Sequence, residues 1–453
     1  LLVYSMLIIK SILKKLNIGL NIYTIMIDKE IEGKKLLLLG GVRAACEIIN
    51  EAHRYGVTVY ESDYLVDSPA KKIADKSFMV SCTDVDAVVE LCEKEQVDGI
   101  FTGYTDSLLP YVEKVCEKYN KPFWGNADNI EMCINKELFK AACEKSGVPV
   151  VPWKKVTQYN YKEEIFNIKL PVVFKPVDNS GSRGVYKCYN KEDLISLCEQ
   201  SMSFSKSKEV LVERLMDAYN EFSAYYMINH GNVYFTAMGD RYIYELSKDI
   251  APVGHGMLFP STMVSIWMSS MDSAMKKFFA DNKMVNGFVF VQGFFENDMF
   301  YIHEIGYRLN GGFSFKLVEY LCGYNQVQQL IKYSLTGKMD ETELAKSDPF
   351  FHGNYGMVLT VTLSKGTIKS ISGIEEAEKL EGVIKFYQLK EVGTKLTSDG
   401  TTAQVFAYII ISAPTPSELK VLIKRIKRHI KVEDENGNNM LLPMINPETL
   451  RFN

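Results

Sequence analysis

Residues 286–314, NGFVFVQGFFENDMFYIHEIGYRLNGGFS, decide how this chain is read. β-Branched and aromatic residues fill 287–295 and again 299–305, with Glu296, Asn297 and Asp298 between them. An Asn-Asp pair between two such runs signals a hairpin, because the turns that match strand twist need residues that tolerate positive φ. Folding the two strands about that turn brings Gln292 across from Glu304. Side-chain oxygens that face each other, with room for water and phosphate, are what magnesium accepts. His303 neighbours Glu304, but strand alternation sends it to the opposite face, so it reads as structural.

Upstream lies LPVVFKPVDNSGSRGVYKC, residues 170–188. Two strand-like segments, 171–176 and 184–188, flank a loop rich in Asn, Ser and Gly. Glycines let a backbone approach a bound anion, and successive N–H groups can cradle phosphate oxygens. Lys175 and Arg183 can add positive charge. No Gly-Lys-Ser/Thr opens a helix, so this is not a Walker loop, and by itself such a segment is usually only a turn. Before it, a Lys-rich helical stretch, 135–146, stops at Gly147 with Pro149 just beyond. After it, VLVERLMDAYNEFSAYYMI reads as strands near 210–213 and 222–228. Glu213 closes the first and Glu221 opens the second; alone they are two exposed carboxylates. His255 sits in IAPVGHGMLFPS, a Gly/Pro-rich loop. There it can orient a carboxylate or take a proton near neutral pH, or be a solvent-exposed loop residue. Arg241, in GDRY, and Lys248 are candidates for the same entrance.

Further out, KKLLLLG at 34–40 is a buried strand running into Gly40-Gly41. A helix at 43–55, a strand at 57–60 ending near Asp63, a helix at 84–95, a strand at 99–101, the loop TGYTD and a helix at 108–119 follow. Strands alternating with helices imply βαβ units on a parallel sheet. Ligands of such sheets lie beyond the carboxyl ends of the strands, which puts Gly40, Gly41, Asp63, Thr105 and Asp106 on the ligand edge. The glycine pair lacks the G-x-G-x-x-G spacing of a dinucleotide site and reads equally as a tight strand–helix turn. At the other end, 355–363 and 366–374 alternate around Ser364-Lys365-Gly366 and predict a hairpin. Residues 404–412 are strongly β, and 417–430 form an amphipathic helix whose basic run reads as a solvated face.

The 453 residues predict two to four domains. A net charge of −4 gives no basic footprint for nucleic acid. The dispersed Tyr and Phe residues read as core rather than as a stacking platform for bases. Nine cysteines without a C-x-x-C pair read as reduced thiols of a cytoplasmic protein. Residues 1–27 are apolar but broken by Lys10, Lys14 and Lys15. The longest uncharged run, 16–27, falls short of the roughly 20 residues a membrane span needs. No small-residue cleavage site follows. Translation is expected to start at Met6 or Met26, with a leader, 1–33, of uncertain status.

Taken in order, Lys136, Lys175 with its glycine loop, Glu213, Glu221, Gln292, Glu304 and Arg308 resemble the ATP-grasp superfamily, over about residues 34–453. The resemblance is closest to carboxylate–amine ligases of the L-amino-acid type and to carbamoyl-phosphate-synthase-like members. It implies a fold of class α/β and α+β. A Rossmann-like pre-ATP-grasp domain would span 34–132 and a two-lobed ATP-binding core 133–345, with its small lobe at about 150–212. A C-terminal β-rich α+β domain would span 346–453. It implies ATP contacts from Lys136, Lys175, Ser180, Gly181, Ser182, Gly184, Glu213, Leu215 and Glu221. Gln292 and Glu304 would hold metal, and Arg308, with Lys175, would face the transferred phosphate. Asp106, Arg241, His255, Asn310 and Gly311 would meet substrate, His255 with a catalytic part. The implied cofactors are ATP and two Mg²⁺ ions, with Mn²⁺ as a substitute. The partners are a small carboxylate and a small amine, with no nucleic acid or membrane, and the family habit allows a homodimer. The implied reaction forms an acyl phosphate that an amine then attacks. Its alternatives are carbamoyl-phosphate-synthase or biotin-carboxylase-like chemistry, or an ATP-binding regulatory protein without turnover. The sequence departs from the family twice: Gly306 stands where Glu-x-Asn-x-Arg has Asn, and Gln292 where many members have Glu. Asn310 could supply the missing oxygen.

Overall fold

A computed structural model describes residues 28–178, 184–244, 253–397 and 402–452. The leader through residue 27, Ser180, Gly181, Ser182, Arg183 and Lys248 lie outside the described residues.

The first sheet is parallel, in the order β3-β2-β1-β4, from β1 (Lys35–Leu39), β2 (Thr58–Ser62), β3 (Lys76–Phe78) and β4 (Gly99–Phe101). The leucines Leu36 to Leu39 are buried on both faces, as a continuous apolar run in a parallel sheet requires. The loop after β4 carries Tyr104, Thr105 and Asp106 away from the carboxyl edge.

A small antiparallel sheet, order β5-β8-β6-β7, holds β5 (Trp153–Thr157), β6 (Val172–Pro176), β7 (Tyr186–Cys188) and β8 (Glu209–Arg214). The helix Lys136–Ser146 precedes it. Asn135 caps that helix by accepting from the N–H groups of Glu137 and Leu138, and Gly147, at φ +78°, ends it. The cap puts Lys136 at the first helical position and Lys140 one turn later on the same face.

The largest sheet has eight strands: β9 (Glu221–Asn229), β10 (Asn232–Tyr244), β11 (Val253–Phe259), β12 (Gly287–Glu296), β13 (Met299–Gly306), β14 (Tyr355–Thr362), β16 (Val383–Gln388) and β18 (Val405–Ala413). Their order is β13-β12-β9-β10-β11-β14-β18-β16. Strands from either side of residue 345 therefore share one sheet, through the β11–β14 pairing. The β12–β13 turn has φ of 51° at Asn297 and 58° at Asp298, the backbone that its Asn-Asp pair predicted.

The predicted hairpin across 355–374 does not form. β14 pairs with β11 and β18, whereas β15 (Gly366–Ser372) joins β17 (Lys395–Leu396) and β19 (Lys431–Asp434) in a separate sheet. The chain changes sheets at Ser364, whose N–H donates to the Met440 carbonyl. Long-range partners outbid the local turn because β14 is buried along nearly its whole length and needs neighbours on both edges. All nine cysteines are free, and eight are buried. Among the described residues no helix is long and apolar enough to cross a membrane.

Candidate functional site

The small sheet and the large sheet face each other, and the charged residues picked out by sequence converge between them. Lys175, on β6, places Nζ 2.6 Å from Glu213 on β8. The other Glu213 oxygen lies 3.0 Å from Lys140, a lysine with no exposed side-chain surface. Burial alone would raise the Glu213 carboxyl; Lys175 and Lys140 reverse that and hold it at about 2. Lys136 is also pushed down by burial, an effect that Glu304 partly offsets. Lys136, Asp178, Lys206, His303 and Glu304 line a cavity of about 320 Å³.

Sequence reading passed over Lys140, although its i,i+4 spacing from Lys136 was visible. It misplaced His303 for a reason the sequence does not show. The β12–β13 ladder pairs Gln292 with Glu304 and then Gly293 with Ile302. His303 is the extra residue of a β-bulge, and a bulge re-aims a side chain. The imidazole consequently shares the cavity with Glu304, stacks on Phe294 with centroids 5.0 Å apart, and sets Nε2 4.0 Å from Glu221. Burial pushes it far below its ordinary range, so it is neutral at physiological pH.

Glu221 opens β9 and is paired with Arg241 of β10; the same guanidinium nitrogen donates to the Gln292 oxygen at 3.2 Å. Among the described residues no group of three or more His, Cys, Asp or Glu is assembled for a metal. Gln292 and Glu304 offer two hard oxygens, a set that suits magnesium when phosphates and waters complete the shell.

Arg308 follows β13, and Tyr307 anchors it: buried, its hydroxyl donates to the Asn286 carbonyl at 2.6 Å and lies 2.9 Å from the Trp124 carbonyl. Arg308 forks onto Asp106, with Nε to Oδ1 at 2.7 Å and Nη2 to Oδ2 at 2.5 Å. The two line a second cavity of about 560 Å³ together with Arg241, Gln292, Glu304 and Asn310. Gly311 borders it too, as do Tyr104, Tyr225 and Tyr408, which the sequence did not single out.

Two further placements differ from expectation. His255 is not in the lining of this cavity, whereas Gly254 and Gly256 are. His255 is the extra residue of a bulge in the β10–β11 ladder, which pairs Tyr242 with Gly256 and then Ile243 with Gly254; it lies toward Lys427 and the backbone of Pro443, and burial drops its imidazole to about 4. A substrate-binding or catalytic part for His255 has no geometric basis. Leu215, just past the end of β8, donates its N–H to the Pro171 carbonyl at 3.0 Å. Asn310, expected to replace the missing asparagine oxygen, uses its amide N–H on Tyr225 at 3.0 Å and its oxygen on Ser314 at 3.1 Å. Gly184 remains at the exit of the glycine loop, its carbonyl held by Ser201 at 2.7 Å.

Gly306 itself has a packing reason. A Cβ there would lie 2.2 Å from the Phe290 ring, and that ring sits under Arg308 at 5.3 Å. Phenylalanine fills the space an asparagine side chain would need. Gly306→Asn is expected to cost about 1–3 kcal/mol by overpacking. Thermal denaturation should show a smaller cost for the same change in a Phe290→Ala background; equal costs in both would refute the clash.

Two opposed sheets that close lysines and carboxylates around a phosphate-sized cleft define an ATP-grasp fold. Part of the chain, residues 135–240, matches the family model "Carbamoyl-phosphate synthase L chain, ATP binding domain", and residues 359–435 match "L-amino acid ligase C-terminal domain 2". The chain belongs to the ATP-grasp superfamily. The formate-dependent phosphoribosylglycinamide formyltransferase of Sulfurisphaera tokodaii is 28% identical over 239 residues, 49% of this chain and 54% of that protein. The chain spans about half the length of the curated relatives it matches first. Among solved structures, an L-amino acid ligase from Bacillus licheniformis superposes with a TM-score of 0.73 at 18% identity, covering 89% of this chain and all of that one. A phosphoribosylglycinamide synthetase from Anaerococcus prevotii does so with 0.70 at 20%, with the same coverage. These two likenesses show the fold.

Proposed function

We propose that this protein is an ATP- and magnesium-dependent carbon–nitrogen ligase that joins a small carboxylate to a small amine. One observation carries the reading: Asp106, Ser107 and Glu304 line both cavities. The lysine-bearing cavity suits a nucleotide triphosphate and the other suits a substrate, so a phosphoryl group could pass between them without leaving the cleft.

In this reading the carboxylate oxygen attacks the γ-phosphorus, ADP leaves, and an acyl phosphate forms. A neutral amine then attacks the carbonyl carbon and inorganic phosphate departs. Phosphoryl transfer asks mainly for positioning and charge neutralisation. Lys136 and Lys175 offset phosphate charge on the nucleotide side, and Glu221, with His303 beside it, faces the ribose. Arg308 meets charge that spreads over the transferred oxygens. Gln292 and Glu304 would hold magnesium, two ions in our reading, which lowers the repulsion between phosphate and incoming carboxylate. The match to an L-amino acid ligase domain over 359–435 supports amino-acid-type substrates. Chemistry through carboxyphosphate is the second reading, supported by the match over 135–240.

The test is phosphate release from ATP and magnesium with pools of amino acids and other small carboxylates. Release is expected to need a carboxylate and an amine together, and to disappear in Glu304→Ala. Release that persists at wild-type rate in Glu304→Ala, or that bicarbonate alone stimulates, would defeat the ligase reading.

A further inference from the structure

The larger cavity is a trough laid across the large sheet. Its floor can be followed strand by strand: Glu304 on β13, Gln292 on β12, Tyr225 on β9, Arg241 on β10, Gly254 on β11. It continues over Val358 and Thr360 on β14 to Val405 and Tyr408 on β18. Neighbouring strands lie about 4.8 Å apart, so the five steps from β12 to β18 cover roughly 24 Å. A fully extended chain advances at most about 3.6 Å per residue. The trough therefore has room for two small substrates end to end.

Its two ends differ in chemistry. Arg308, Asp106, Glu304 and Gln292 crowd the β12–β13 end. At the β14–β18 end the lining is mostly apolar, Val358, Leu389, Val405 and Tyr408 with Met257 beside them, and Thr360 adds one hydroxyl. The carboxylate to be activated must lie at the charged end, against the phosphate. The amine has to sit next along the sheet, over β10 and β11, and what it carries then points toward β14 and β18.

Gly254 is where the trough passes from one half to the other. Most close-packed glycines here have a steric reason: Gly256, at φ +155°, would bring a Cβ to 2.7 Å from the Val358 carbonyl. Gly254 has none among the described residues, because its backbone is not left-handed and a Cβ there meets nothing of them within 4 Å. What the missing side chain leaves is open floor.

We propose that the β14–β18 end is a subsite for a large apolar side chain on the amine substrate, and that Gly254 and Val405 set its reach. The ligand class is an amino acid or amino amide with an aromatic or branched aliphatic side chain. This rests on the ligase reading for the order of the two substrates along the trough.

Phenylalanine and glycine serve as amine probes in turnover, and calorimetric titration of both in the presence of a non-hydrolysable ATP analogue reads binding without turnover. Wild type is expected to favour phenylalanine. Gly254→Leu should lower the phenylalanine-to-glycine ratio about tenfold or more, the scale on which an apolar pocket discriminates by size. Val405→Ala should move it the other way by enlarging the pocket. A phenylalanine preference in titration that both variants shift, without turnover, would support the subsite and sink the ligase reading. Turnover with a ratio that neither variant moves, or a wild-type preference for glycine, would overturn the subsite alone.

Discussion

Glu213→Gln is expected to destabilise the chain by about 3–5 kcal/mol, the usual consequence of removing one member of a buried ion pair. Glu213 is buried and sits between Lys140 and Lys175, at 3.0 and 2.6 Å. Lys140 has no exposed side-chain surface. Without the carboxylate its ammonium would stay in a low-dielectric site facing the like charge of Lys175, and burial already pulls it below its ordinary range. A Lys140→Met, Glu213→Gln double variant should recover part of the loss, because it removes the stranded charge together with its partner. The pH dependence has a definite sign. The folded carboxyl titrates at about 2, below its ordinary 4.5. Its stabilisation is therefore complete above about pH 4.5 and fades as pH falls toward 2. Urea unfolding of wild type and Glu213→Gln at pH 7 and pH 3 tests both points. The gap should narrow at pH 3, and a gap that stays the same or widens would contradict the pairing.

Arg308→Lys is expected to lower kcat by about 10²–10³, the cost of removing one preorganised donor from a developing charge. The KM for ATP should change little. Arg308 forks onto Asp106 with two parallel bonds while its planar face lies over Phe290. A lysine reproduces neither the fork nor the stacking, so the exchange is not conservative. Asp106 comes from the loop after β4 and Arg308 from the end of β13, so the first sheet's loop orients a group on the large sheet. Asp106→Asn should therefore lower kcat in the same direction by a smaller factor. Steady-state kinetics with magnesium and ATP decide this: a rise in the KM for ATP with kcat intact would assign Arg308 to nucleotide binding instead.

Local signals carried the parts of the fold that depend on neighbours in sequence. The leucine run of β1, the Asn135 cap and Gly147 stop around Lys136, and the Asn297-Asp298 turn each follow from backbone preferences within a few residues. The turn sets the register from Glu296–Met299 to Gly293–Ile302, and by itself would place Gln292 opposite His303; the bulge beyond it brings Gln292 opposite Glu304. The ordered run from Lys136 to Arg308 was legible through its resemblance to the ATP-grasp pattern, which no single local signal carries.

What the sequence could not decide depends on partners far along the chain or on one residue of register. The predicted 355–374 hairpin gave way because β14 found β11 and β18. A single bulged residue moved His303 from the back of β13 into the cleft beside Glu304, since a one-residue slip exchanges the two faces of a strand. A bulge in the β10–β11 ladder takes His255 out of the pairing, while Gly254 on one side of it and Gly256 on the other line the trough. The Arg308–Asp106 fork joins residues 202 positions apart. The sequence by itself determined which side chains carry charge and which elements hold them. Only the tertiary structure decided which of them meet, because strand pairing and the burial of charge are settled by the whole core.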